Sequence, residues 1–221
     1  MQLKQGVVKF GGIALILAGV LFFIQFLFML PVPAPGATTD AELMAWLAEW
    51  KFNLSMADEL LFFAPLCLIP AIAALYQVLV KTDLPKTLLG CALLALSIPV
   101  YILLVIILGR LVYPVFHIEI SAESLKLMFS LYYGGLHTAA LIMGISTIVL
   151  SLVILKSPLG KAAAYLGFAA GILDLIGSFP WLIGTTVMFV CQLAFAAWFV
   201  VLGARLTRIS RSAMPMSALK G

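Results

Sequence analysis

Five ionisable side chains lie inside long apolar stretches of this chain, and they are the residues best able to do chemistry. They are Asp58, Glu59, Arg110, His137 and Asp174. An ionisable group in a membrane-spanning helix costs about 2.5–3.5 kcal/mol on insertion scales, so it usually faces protein or a wet cavity. Carboxylates and an imidazole in such surroundings can bind a ligand or act as general acids and bases.

Small residues share the helix face of two of these groups. Around Asp174 they are Gly167, Ala170, Gly171, Gly177 and Ser178. Around His137 the same face carries Gly134, Ala140 and Gly144 together with Tyr133, and Leu141 is its one bulky aliphatic residue. Stripes of this kind let membrane helices pack closely, so both side chains should point into a bundle. At a rise of about 1.5 Å per residue, Glu59 and Asp174 also share a level in the outer half.

These placements predict one enclosed polar pocket near the outer side of the membrane. Its catalytic groups would be Glu59, Asp174 and His137, and its ligand-binding groups Arg110, Tyr133, Asp58, Trp46 and Trp50. Each group also has a purely structural interpretation. Asp174 could pair with Arg110, His137 could be a neutral core histidine bonded to Tyr133 or Gln192, and Asp58 could be a helix-start acid.

The elements that must position these residues are membrane-spanning helices. Hydrophobic residues make up 64% of the 221 residues and charged residues only 10%, which leaves too little polar surface for a soluble fold. A helix needs about 20 apolar residues to cross a bilayer. Six stretches meet this requirement: 7–29, 54–80, 87–112, 125–155, 162–179 and 181–204. We therefore expect an all-α, single-domain bundle of six helices.

Basic residues fall almost entirely in alternate gaps between these stretches. Ten would lie on one side of the membrane: Lys4, Lys9, Lys81, Lys86, Lys156, Lys161, Arg205, Arg208, Arg211 and Lys220. Three would lie on the other side, namely Lys51, Arg110 and Lys126. The positive-inside rule then predicts cytoplasmic N- and C-termini in the cytoplasmic (inner) membrane of a prokaryote. The basic tail, 205–221, is expected to anchor the topology near anionic headgroups and not to bind nucleic acid.

The first outer loop is expected to hold a short amphipathic helix of its own. Three prolines between residues 31 and 35 end the first span, and Thr39 with Glu42 forms a capping-box pattern. Apolar side chains then recur at helical spacing: Leu43, Trp46, Leu47 and Trp50. The stripe predicts a helix in the outer interface, either a simple anchor or a lid over an outward-facing cavity.

Known cofactor and metal patterns are missing from the sequence. Cys67, Cys91 and Cys191 sit in separate apolar stretches without CxxC spacing and are expected to be packing residues. No HxxxH, ExxH, phosphate-loop or dinucleotide motif occurs. We expect no metal, and the sequence names no cofactor and no oligomeric state.

The stretch 149–178, VLSLVILKSPLGKAAAYLGFAAGILDLIGS, resembles a family of bacterial integral membrane proteins known as domain of unknown function 4386. In that family a YxSxxLPRxLG-like turn leads into a Gly-rich helix that carries an acid before its outer end. The segment ATTDAELMAWLAEWKFNLSMADEL is similar to the short outer helix of the same family. The chain departs from the pattern at Leu159 to Lys161 and near Tyr132 to His137. The resemblance implies a bundle of six or seven helices and assigns no activity.

Three functions are compatible with these features. The first is binding or modification of a small apolar or lipid-like molecule in the outer pocket, with the bilayer as the other partner. The second is a proton-coupled small-molecule transporter that uses the same acids as relay groups. The third is a non-catalytic membrane subunit in which the charges hold the bundle together. We expect the first, with enzymatic activity left open.

Overall fold

The structure is a computed structural model, and it describes residues 5–35, 39–113, 115–116, 118 and 120–212, the side chains of 211 and 212 excepted. All regular structure in these residues is helical. The helices are α1 Gln5–Met29, α2 Asp40–Leu66, α3 Leu68–Leu79, α4 Leu84–Val112, α5 Ala122–Ile154, α6 Lys161–Gly177 and α7 Thr185–Ser212. Of the charged residues used above, Lys4, Lys220 and the side chain of Arg211 lie outside the described residues, as does most of the predicted tail.

Five of the helical stretches are long and apolar enough to cross a membrane. They are α1, α4, α5, the continuous run Asp40–Leu79 formed by α2 and α3, and Thr185–Ser210 of α7. The prediction of an all-helical membrane protein is therefore confirmed for the described residues. Helix α6 has 17 residues, about 25 Å of rise, which is the lower limit of spanning length.

The outer part of α2 differs from the prediction of a separate interfacial helix followed by a span from residue 54. Helix α2 runs without a break from Asp40 to Leu66. The predicted capping box is present, because Thr39 and Glu42 exchange side-chain and backbone hydrogen bonds at the helix start. No proline or glycine occurs between Asp40 and Asn53, so nothing in the sequence interrupts the helix there.

A proline-induced joint separates α2 from α3. Pro65 lies in the last turn of α2 and Pro70 in the first turn of α3, with Cys67 between the two helices. Proline has no backbone N–H and its ring clashes with the carbonyl four residues earlier, so helices bend at such positions. Together α2 and α3 therefore behave as one bent spanning element.

The helices form a closed ring in which neighbours in sequence are neighbours in space. Helix α1 contacts α2 and α3, these contact α4, α4 contacts α5, α5 contacts α6, and α6 contacts α7. Extensive packing between α1 and α7 then closes the ring. We call the end at which α1 ends and α2 begins the outer end, and the end at which α3 ends and α4 begins the inner end.

The inner half of the ring is tightly filled. A Cβ atom placed on Gly203 of α7 would lie 2.5 Å from the carbonyl oxygen of Gly12 in α1, so the two backbones touch. Trp198 is fully buried, and its Nε1 donates to the carbonyl of Ala163 at 3.2 Å, which ties α7 to α6. Phe199 is fully buried beside it, with the two ring centres 5.4 Å apart. This layer closes the bundle toward the inner end.

The close contact of α1 with α7 predicts that Gly203→Ala destabilises the protein. The added methyl must push a backbone oxygen away, and overpacking of this kind costs about 1–3 kcal/mol. Gly134→Ala is the matched control, because a Cβ atom at Gly134 meets no atom within 4 Å. In a helix this control should be neutral or stabilise by about 0.5–1 kcal/mol. Thermal unfolding of both variants in one detergent tests the contact, and equal melting temperatures would contradict it.

Candidate functional site

A cavity of about 720 Å³ occupies the centre of the ring in its outer half. This volume lies within the range of about 300–1,000 Å³ that is usual for small-molecule sites. Helices α1, α2, α4, α5, α6 and α7 each contribute to its wall, for example through Phe22, Leu61, Tyr101, Tyr132, Asp174 and Gln192. The residues on both sides of the outer opening, 30–35 and 180–183, also line it in part. The cavity therefore extends from the middle of the ring to its outer end.

Asp174 is the one Asp, Glu, Lys, Arg or His among the described wall residues. It lies near the end of α6, on a face whose glycines and alanines are buried, and its own exposure is 5%. A Cβ atom on Gly171 would lie 2.9 Å from the carbonyl oxygen of Gly144, so α6 lies directly against α5. This close packing turns Asp174, three residues further along, toward the centre of the ring. No described residue forms a hydrogen bond or ion pair with its carboxylate.

Aromatic rings line the same cavity as the Asp174 carboxylate. The rings of Phe22 and Tyr101 lie 5.0 Å apart, and those of Phe22 and Phe195 lie 5.9 Å apart. The amide side chains of Gln25 and Gln192 line the same wall. The cavity is thus mainly apolar and aromatic, with a small number of polar groups and a single acid.

Residues 31–35 form a strap across part of the outer opening, and α2 holds this strap in place. The indole Nε1 of Trp46 donates to the carbonyl of Pro33 at 3.2 Å. Further along α2, Asn53 Nδ2 donates to the carbonyl of Phe28 in α1 at 2.9 Å. The Trp46 ring packs edge-on against Phe129 of α5 at 5.1 Å. Trp46 therefore lies one layer behind the cavity wall and supports the strap.

His137 does not floor the cavity, in contrast to the prediction. Its Nδ1 lies 2.6 Å from the carbonyl oxygen of Ser178. Because a carbonyl oxygen only accepts, Nδ1 carries the hydrogen and donates. The imidazole also contacts the rings of Phe179 and Trp181, at 4.8 and 5.5 Å. It fastens α5 to the connection between α6 and α7, and so holds Trp181 at the cavity wall.

Glu59 and Arg110 also lie away from the cavity wall. Glu59 is exposed, and Oε1 of its carboxylate accepts a hydrogen bond from the Tyr113 hydroxyl at 2.9 Å. Partial burial, and then this hydrogen bond, raise the pKa of Tyr113. Arg110 donates to the carbonyls of Tyr113 and Ile118 at 3.4 and 3.2 Å. The alternative ion pair between Arg110 and Asp174 is therefore not formed.

Asp58 lies in the contact of α2 with α4, next to Gly109, and is buried at 5% exposure. Its Oδ1 atom and the hydroxyl of Tyr132 are both buried without a hydrogen-bond partner among the described residues. Tyr132 lines the cavity, whereas Asp58 is not a wall residue.

Of the predicted site residues, the structure brings Asp174 and Tyr133 to the cavity wall. Trp50 packs against the core from α2 and is not a wall residue. Sequence reasoning did not identify Tyr101 or Gln25, and it considered Gln192 only as a partner for His137 or in a proton pathway. Amide and hydroxyl groups in otherwise apolar spans were the available signal for all three.

Comparison with known proteins assigns no family to this chain. No family model matches it, and no curated protein or solved structure is significantly similar to it. The resemblance described for 149–178 accordingly stays a prediction. Among the described residues, no group of three or more His, Cys, Asp or Glu side chains is placed to hold a metal ion. The site is therefore interpreted from its own geometry.

The strap geometry predicts the effect of Trp46→Phe. This change keeps an aromatic ring against Phe129 and removes the donor to Pro33. Loss of one hydrogen bond costs about 0.5–1.5 kcal/mol, so amide exchange at Leu30 and Val32, which donate to Phe26 and Met29, should accelerate up to about tenfold. Trp50→Phe is the control, because the Trp50 indole has no hydrogen-bond partner among the described residues. Hydrogen–deuterium exchange by mass spectrometry measures both, and equal exchange in the two variants would argue against the support role.

Proposed function

We propose that this protein is a six-span membrane protein that binds a small, mainly apolar or lipid-like molecule in the ring cavity. The molecule would enter at the outer end, between the strap and residues 180–183. Both chain termini would be cytoplasmic, and the membrane would be the inner membrane of a prokaryote. The observation that carries the proposal is a cavity of about 720 Å³ enclosed by all the spanning elements.

The ring supports α6 as the sixth span. Helix α5 reaches the inner end and α7 starts at the outer end, next to residues 180–183, so α6 must connect the two ends. Its 17 residues suffice for a thin or locally thinned hydrocarbon core. Short connections at the inner end carry Lys81, Lys86, Lys156 and Lys161, which supports the cytoplasmic assignment of that end.

Binding is better supported than catalysis or transport. General acid–base chemistry most often uses histidine, a carboxylate or lysine, and the described wall offers one carboxylate and three tyrosine hydroxyls, without histidine, cysteine or lysine. Transport would require a path through the inner half, where Trp198 and Phe199 fill the centre. The third function, a non-catalytic subunit stabilised by an ion pair between Arg110 and Asp174, is less well supported, because Arg110 donates to backbone carbonyls instead.

The proposal predicts that Ala140→Phe blocks binding by filling the cavity. Ala140 is a wall residue of α5, and phenylalanine there would occupy space needed by the ligand. Ala169→Phe is the matched control, because Ala169 is exposed on α6 and is not a wall residue. The probe is bromodecanol, whose bromine quenches tryptophan fluorescence when it approaches Trp181 in the wall. Titrations in maltoside micelles should show saturable quenching in the wild type and in Ala169→Phe.

Ala140→Phe should weaken the affinity for bromodecanol at least about tenfold, a loss of 1.4 kcal/mol or more. Trp181→Phe should remove most of the quenching signal without changing the fold. Unsaturable quenching in the wild type, or equal affinity in both alanine variants, would show that the probe dissolves in the micelle and that the cavity is not its site.

A further inference from the structure

We infer that the occupant of the cavity carries an organic cation, an alkylammonium group that pairs with Asp174. This inference rests on the proposed function and defines the chemical class of its ligand. The apolar part of the molecule would lie against Phe26, Met29 and Leu136, which line the same cavity. The charged part would lie where the carboxylate and the aromatic rings of Tyr101 and Phe22 meet.

The first argument is the balance of charge. Asp174 is nine-tenths or more buried and faces a cavity whose described wall has no Lys, Arg or His. The ion pairs among the described residues, Lys86 with Asp83 and Lys126 with Asp40, belong to the connections and helix ends. A buried carboxylate without a partner is costly, and a cation within the cavity offsets that cost.

The second argument is the aromatic wall. A cation within about 6 Å of a ring centre is attracted by the π-electrons, more strongly where water is excluded. Tyr101, Phe22 and Phe195 line the same cavity as Asp174, and neighbouring ring centres among them lie 5.0 and 5.9 Å apart. A carboxylate and aromatic rings on one cavity wall both attract an ammonium group. The side-chain oxygens of Gln25 and Gln192 add acceptors for any N–H group of the ligand.

Two sources can supply this chemistry, a free lipophilic amine or the ammonium of a zwitterionic lipid headgroup. A lipid headgroup also carries a phosphate, for which a basic or strongly donating partner is usual. The described wall has no Lys or Arg, which favours the free amine. Both sources share the alkylammonium group that the inference specifies.

Four probes with one apolar body test the inference: bromodecyltrimethylammonium, bromodecyl phosphocholine, bromodecanol and bromodecyl sulfate. Quenching titrations in maltoside micelles give their affinities for the wild type, which requires no variant to fold. The ammonium probe should bind at least about tenfold more tightly than bromodecanol, and the sulfate probe most weakly. Tight binding of the phosphocholine probe as well would identify a lipid headgroup, and weak binding of it a free amine.

Two variants test whether Asp174 causes the preference for the ammonium probe. Asp174→Asn should weaken ammonium binding about tenfold and change bromodecanol affinity by less than about threefold. Glu59→Gln removes an exposed acid that is not a wall residue, and it should leave all four affinities unchanged.

Each failure has a distinct meaning. Equal affinities of the wild type for bromodecanol and the ammonium probe, or an unchanged preference in Asp174→Asn, would overturn the cation inference and leave the proposed function standing. A lack of saturable binding for every probe would overturn both. If Ala140→Phe weakens the binding of bromodecanol, the proposed function is supported even where the cation inference fails.

Discussion

The contact between the backbones of Gly12 and Gly203 is the interaction on which the ring depends. In a bilayer no hydrophobic effect drives helices together, so close packing of small residues must bring α1 and α7 into contact. Further toward the outer end the same two helices meet through larger side chains, such as Phe23 and Phe189 with ring centres 6.0 Å apart. The separation of packed helices follows the size of the residues between them. Glycine at the inner end and aromatic rings at the outer end therefore favour a closed inner half and a wider outer half.

The position of Asp174 follows from the same principle on the opposite side of the ring. Gly144 and Gly171 let α5 and α6 approach until a Cβ atom would overlap a backbone carbonyl. At this separation the small residues of α6 face α5 and not the lipid. Asp174 shares their face, so its carboxylate faces the centre of the ring. A cation inside the cavity would offset the cost of burying the charged carboxylate. Close packing of α5 against α6 thus places a carboxylate in a mainly apolar cavity.

The sequence predicted the parts of the structure that depend on local pattern. The capping box of Thr39 and Glu42, and the inward direction of Asp174, each follow from residues within one helix. The placement of Glu59, Arg110 and His137 depends on tertiary contacts. Glu59 meets the hydroxyl of Tyr113 and Arg110 meets carbonyls of the segment after α4, so both are bound outside the ring. The depth of a residue along a helix can be calculated from the sequence. The partners of Glu59 and Arg110 lie at the end of α4 or in the segment after it, and residue spacing does not predict the path of that segment.

Packing in the inner half of the ring favours the proposed binding function over transport. A path to the inner end would require Trp198 to leave its buried position and give up its hydrogen bond to the carbonyl of Ala163. A Cβ atom on Gly167 would lie 2.5 Å from Nε1 of the same indole, so α6 holds the Trp198 ring by shape as well. Moving α7 far enough to release it would also separate Gly203 from Gly12 and open the ring. At the outer end, by contrast, the strap crosses only part of the opening, and the cavity extends to that end. The proposed ligand would therefore enter and leave at the outer end.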